Sequence, residues 1–97
     1  IYISKYHLAI KYHEDYRNKS IVDKISSILE KSGYETVCIV RDINIEQQNI
    51  YNPYDLMRLT FEKIDICDLV IIDLTEKSVG LGIEAGYAYA KKYLSLQ

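Results

Sequence analysis

Asp68-Leu-Val-Ile-Ile-Asp-Leu-Thr-Glu-Lys-Ser-Val-Gly-Leu-Gly-Ile-Glu-Ala-Gly-Tyr-Ala-Tyr-Ala90 is the stretch whose reading decides the fold. Leu69 to Ile72 and Leu74 form an apolar run interrupted only by Asp73, the pattern of a strand buried on both faces of a parallel sheet. Gly80 and Gly82 follow as a tight turn that lets backbone approach a ligand and bares N–H groups at a helix start, where anions bind. The helix then runs from about Gly82 to Tyr93 with Glu84 in its first turn. Open α/β sheets hold their ligands at the carboxyl ends of their strands, which is where this carboxylate falls.

Working outward, Asn52-Pro53 opens a preceding helix, with Asn as the cap and Pro at the first helical position. Leu56, Met57, Leu59, Thr60 and Ile64 carry that helix to about Ile66. Upstream, Thr36 to Val40 is rich in β-branched residues and reads as a strand. Before it, Ile21, Val22, Ile25, Ile28 and Leu29 make an amphipathic stripe; Ser20 and Asp23 resemble a capping box, and Gly33 supplies the stop. Ile1-Tyr-Ile-Ser4 reads as the first strand, and Lys5 to Lys19, which lacks a clear period, as a long loop or a loop with an early helical turn, in which His7 and His13 are solvated. Arg41 to Tyr51 reads as a polar excursion. The order β-α-β-α-β-α predicts an α/β three-layer sandwich with a parallel sheet, flavodoxin- or Rossmann-like in shape.

The composition sets boundaries. A formal net charge of −2 offers no electrostatic footprint for nucleic acid. No apolar run reaches the ~18 residues of a membrane span. Cys38 and Cys67 stand alone, without metal-ligand spacing, and read as core thiols of a reducing, cytoplasmic setting; no metal and no organic cofactor is implied. The start at Ile1 and the stop at Gln97 carry the expectation of a single domain over 1–97 that is truncated or gapped on its C-terminal side.

In a parallel sheet the loops after Ser4, Val40 and Leu74 gather at one edge. That edge would collect Tyr2 and Ser4, Arg41 and Asp42, then Asp73, Ser78, Gly80, Gly82 and Glu84. Hydroxyl and backbone donors suit sugar or phosphate, and a carboxylate above a glycine turn suits attack on an anomeric carbon through an oxocarbenium-like transition state. A second carboxylate, Asp73, would orient the sugar or carry a proton. The plain alternative makes Glu84 a helix N-terminal acid contributing ~0.5 kcal/mol through the macrodipole.

The run Ser78-Val-Gly80-Leu-Gly82-Ile-Glu84-Ala-Gly86, with the strand before it, resembles the nucleoside 2-deoxyribosyltransferase superfamily, and within it the 2′-deoxynucleoside 5′-phosphate N-hydrolases. The resemblance implies Glu84 as catalytic nucleophile, Asp73 as sugar-contacting acid, Ser78 with the turn amides as a phosphate contact, Gly80 and Gly82 as the phosphate-facing turn, and Tyr2 as an active-site tyrosine. It also implies a nucleoside or nucleotide as small-molecule partner, neither nucleic acid nor membrane, and a homo-oligomer; the helix face of Ala85, Gly86, Ala88 and Ala90 permits such close packing. Two positions depart from the family pattern. Thr60 stands where an Asp is usual, so that either Glu62 or Asp65 substitutes or proton transfer to the base is weakened, and the segment after the first strand has no glycine. A non-catalytic nucleotide-binding module and NAD glycohydrolysis of the kind seen in TIR-like domains are the competing readings.

Overall fold

The computed structural model describes residues 2–11, 13, 15–43 and 51–91, and the backbone of 94–96. The central strands form where side chains can be buried on both faces. Strand β3 (Leu69–Ile72) sends Val70 and Ile72 to one side of the sheet and Ile71 to the other, the period-two alternation of extended backbone. Strand β1 (Lys5–Ala9) lies beside it in parallel, pairing Tyr6 with Leu69 and Ala9 with Ile72. On the far side of β1 lies β2 (Glu35–Val37), and β4 (Leu94–Leu96) flanks β3, so the all-parallel order is β2-β1-β3-β4.

Helices cover both faces. Helix α1 (Lys19–Lys31) presses Val22 onto Leu8 and Cys38, with Ile25, Leu29 and Ile71 around them. A short helix α2 (Ile39–Asp42) follows β2. On the opposite face α3 (Pro53–Asp65) and α4 (Val79–Ala90) enclose a second core of Ala9, Ile64, Val70, Ile72, Leu81 and Ala88. Each fully buried aliphatic side chain contributes roughly 1.5–3 kcal/mol, so these two cores hold the three-layer sandwich together. The flavodoxin-like α/β fold expected from the sequence is the fold observed.

Several boundaries differ from the sequence reading. The first strand is Lys5–Ala9, not residues 1–4. His7 hides it: counted as polar it breaks the apolar run, yet in the fold it is fully buried, with its ring Nε2 3.1 Å from a Glu84 carboxylate oxygen. Helix α1 begins one residue before Ser20, and no capping box forms; Asn18 at the cap position instead donates to the Lys11 carbonyl (2.8 Å) and to Glu76 (3.2 Å). The second strand stops at Val37 because the Asp42 carboxylate accepts the Cys38 N–H (3.0 Å) and Arg41 reaches back to the Thr36 carbonyl (2.8 Å), coiling Ile39–Asp42. The polar excursion expected over residues 41–51 falls partly at 44–50, outside the described residues, as does the helix end expected at Tyr93. Helix α3 starts where its cap predicts, with the Asn52 side chain accepting the Asp55 N–H at 2.8 Å.

The glycine pair is also not a turn. Ser78 caps α4, its Oγ accepting the Leu81 N–H at 3.4 Å, so Gly80 and Gly82 are already helical. Among the described glycines only Gly33, past the end of α1, has a positive φ (+91°).

Candidate active site

Because β2 and β3 lie on opposite sides of β1, the connections leaving β1 and β3 diverge at their carboxyl ends and open a crevice there. A cavity occupies this switch point. Leu8, Ala9 and Ile10 from the end of β1 form one wall; Ile39 and Val40 of α2 with Leu56 and Met57 of α3 form an apolar wall. Its polar groups are Thr60, Ser78 and Glu84, with Gly80 beside them. Gly80 and Glu84, four apart on α4, share one helix face. A Cβ at Gly80 would stand 3.6 Å from the Ser78 hydroxyl, ordinary contact, so glycine there widens the mouth and does not relieve a clash.

Glu84 is only 13% exposed, and its Oε1 lies 3.1 Å from His7 Nε2. The imidazole is 0% exposed, and His7 Nδ1 has no hydrogen-bond partner among the described residues. His7 is central to β1, opposite Val37 on one side and Val70 on the other. The sequence alone reads it as a solvated loop residue; nothing in the sequence neighbourhood of His7 signals a partner 77 residues away. Glu84 is the one titratable side chain lining the cavity among the described residues. Thr60 does line it, buried, with its hydroxyl donating to the Leu56 carbonyl at 2.9 Å. Glu62 and Asp65 are exposed outside the cavity, and Asp65 accepts the Tyr87 hydroxyl at 2.6 Å; neither stands in for an acid there.

The remaining residues expected at the site divide by edge. Tyr2 and Ser4 are at the opposite, amino end of the sheet. The Tyr2 hydroxyl donates to Asp68 at 2.6 Å, just ahead of β3, and the Ser4 carbonyl accepts the Glu35 N–H at 2.9 Å. Moving the strand from residues 1–4 to Lys5–Ala9 carries both away from Glu84. The Tyr2 hydroxyl, with the Lys5 N–H, holds the Asp68 carboxyl below its usual range. Gly82 is on the solvent side of α4 and does not line the cavity. Arg41 and Asp42 pair with each other at 2.6 Å, and Arg41 also ties Ser26 and Thr36.

Asp73 sits at the end of β3 but on the α1 side of the sheet, where its carboxylate accepts the Thr75 N–H at 2.8 Å. There it lines a neighbouring cleft with Ile10, Lys11, Arg17, Ile21, Thr75 and Glu76, separated from the Glu84 cavity by Ile10. Glu76 is gripped from two sides, by His13 Nε2 (2.9 Å) and by Asn18 (3.2 Å). The His13 and Asn18 hydrogen bonds keep its carboxyl below the usual glutamate range. This clasp joins the segment after β1 to the segment before α4. Burial pushes the Cys38 and Cys67 thiols up to about 11, as befits core cysteines. Among the described residues no cluster of three or more His, Cys, Asp or Glu is arranged for a metal ion, and no helix is long and apolar enough to cross a membrane.

Fold and cavity together define a parallel, flavodoxin-like domain with a half-buried carboxylate at its switch point. Among solved structures the chain is similar to a 2-desoxiribosyltransferase from Leishmania mexicana, with a TM-score of 0.70 and 15% identity, over 96% of this chain and 63% of that one. The chain thus spans less than two thirds of that neighbour's length, and at this identity the likeness is one of fold. No protein-family model matches the chain, and no curated protein matches it in sequence.

Proposed function

We propose that this chain cleaves or transfers at the N-glycosidic bond of a (deoxy)nucleoside or its 5′-monophosphate, with Glu84 as nucleophile. The observation that carries the reading is Glu84 itself: shielded from solvent, tethered through one oxygen by His7, and facing a cavity at the carboxyl ends of β1 and β3. The fold it shares with a solved 2-desoxiribosyltransferase is the second support. A Glu84 oxygen attacks C1′, the C1′–N electron pair leaves with the base, and a glycosyl-enzyme ester forms. Water or a second base then attacks C1′ and releases the carboxylate. The wall of Ile39, Val40, Leu56 and Met57 suits a flat heterocycle, and holding it fixes C1′ in line with the carboxylate, the source of much of the rate. Ser78 and Gly80 serve as sugar- or phosphate-side contacts, and Asp73, across Ile10, orients the sugar.

No Lys or Arg lines the Glu84 cavity among the described residues, whereas Lys11 and Arg17 line the adjoining cleft. Comparing a deoxynucleoside with its monophosphate therefore decides which substrate form is used. One observation favours a second reading, a nucleotide-binding module without turnover: the cavity offers Thr60 where an acid would protonate the departing base. The same domain is proposed to pair with a second copy. The outer face of α4 carries Val79 (83% exposed), Ile83 and Tyr89 (74%) with Gly82 and Gly86 and no charge, while Leu81, Ala85 and Ala88 of the same helix pack inward. An exposed apolar face of this kind marks a contact surface.

The test is a panel of deoxynucleosides, their 5′-monophosphates and NAD, with and without an acceptor base, followed by chromatography of the free base. Base release that vanishes in Glu84→Ala supports glycosyl transfer. Binding without turnover of any compound replaces it with the binding module, and release of nicotinamide alone moves the activity to NAD.

A further inference from the structure

Resting on the glycosyl-transfer reading, we propose that His7 is the positioning residue of Glu84: its Nε2–H holds Oε1, leaving the other carboxylate oxygen to the cavity as the attacking atom. Three observations carry this. First, the anchor is stiff. His7 belongs to an inner strand, backbone-paired on both sides, and its ring is fully buried. Second, the Nε2–Oε1 separation of 3.1 Å is a hydrogen bond in which the ring must donate if the carboxylate is to accept. Third, the far ring nitrogen decides the tautomer. A proton on Nδ1 would be a buried donor with no acceptor among the described residues, whereas a bare Nδ1 leaves only an unfilled lone pair, so the proton sits on Nε2.

A glutamate on a helix has three rotatable side-chain torsions, and without a tether its carboxylate samples several positions along the cavity. The His7 bond removes that freedom before substrate arrives. Because His7 is buried behind Glu84 and does not line the cavity, it contributes to the geometry of attack and not to ground-state binding. The expected signature is a fall in kcat with KM unchanged.

Two variants separate positioning from packing. His7→Phe keeps the ring volume and removes the donor; a misplaced reacting group lowers kcat by roughly 10²-fold. His7→Gln puts an amide N–H near the Nε2 position and recovers kcat to within about tenfold of the parent. Long-range ¹H–¹⁵N spectra of the imidazole provide a readout independent of turnover. A protonated Nε2, a bare Nδ1 and a ring signal that shifts on Glu84→Gln are expected. Protonation at Nδ1, a ring indifferent to Glu84→Gln, a His7→Gln no better than His7→Phe, or a change confined to KM would each overturn the assignment. A parent protein that releases base from no compound refutes the glycosyl-transfer reading instead, and the ring spectrum alone then decides whether His7 holds Glu84. Should His7→Phe fail to fold, His7→Gln and the spectrum still decide.

Discussion

Replacing Glu84 by leucine tests the buried pair through stability alone, without any assumption about substrate. Among the described residues Glu84 is the only hydrogen-bond partner of a histidine ring that is 0% exposed, so its loss leaves both ring nitrogens buried and unsatisfied. A buried donor deprived of its acceptor costs about 1–3 kcal/mol. The introduced leucine would add apolar contact with Leu81 and the cavity wall and offset part of that, for a net loss of about 1–2 kcal/mol. With a urea slope of about 2 kcal/mol per molar, the unfolding midpoint drops by about 0.5–1 M. Glu84→Gln keeps a carbonyl oxygen at the same place and should remain within ~0.5 kcal/mol of the parent. The assay is urea unfolding followed by far-UV circular dichroism at one fixed protein concentration, because self-association would shift the midpoint. Removing a functional carboxylate often raises stability. A Glu84→Leu variant as stable as Glu84→Gln, or more so, would refute the claim that the carboxylate satisfies His7.

Four further outcomes are expected. The Glu76 carboxyl is held below its ordinary value by His13 and Asn18, so its contribution to stability is present above the unfolded value of ~4.3 and lost as pH falls through the lowered one; an acid titration of Glu76→Gln by circular dichroism should show a shallower loss below pH ~4 than the parent. Thr60→Asp restores an acid to the cavity and should raise base release from a purine deoxynucleoside by about 10²-fold or more while lowering the melting temperature; unchanged turnover shows that base protonation is not what limits the reaction. Ile83→Glu sets a charge in the middle of the exposed apolar face of α4, and sedimentation velocity should report a smaller species than the parent; identical species rule out that face as the contact between copies. Cys38 and Cys67, with thiols at about 11, should react with an aromatic disulfide at pH ~8 only at the rate of unfolding; fast native-state labelling of both would contradict their burial.

What is legible in the sequence is what short-range chemistry controls. Asn52-Pro53 starts α3 because a cap side chain and its receiving N–H are three residues apart, within reach whatever the rest of the chain does. The run Leu69–Ile72 is a strand because alternate faces both need apolar groups. The glycine pair marks the limit of the same logic. Its composition suggests a turn, but it is helix, since Ser78 supplies the cap just ahead of it. Residues 36–40 are rich in β-branched side chains, yet the Arg41–Asp42 pair draws their second half into a helical turn.

The sequence by itself determined the parallel three-layer architecture, the carboxylate after the third strand, and the absence of an acid at Thr60. Tertiary structure alone decided which residues share an edge. In a sheet a strand's position along its neighbour sets both the end at which each residue emerges and the face it presents. Placing β1 at Lys5–Ala9 sends Tyr2 and Ser4 to the far end, and the same pairing turns His7 toward α4 and Glu84. A histidine that looks polar in its own neighbourhood becomes core only when a carboxylate from a distant helix meets it, and no local pattern encodes that meeting.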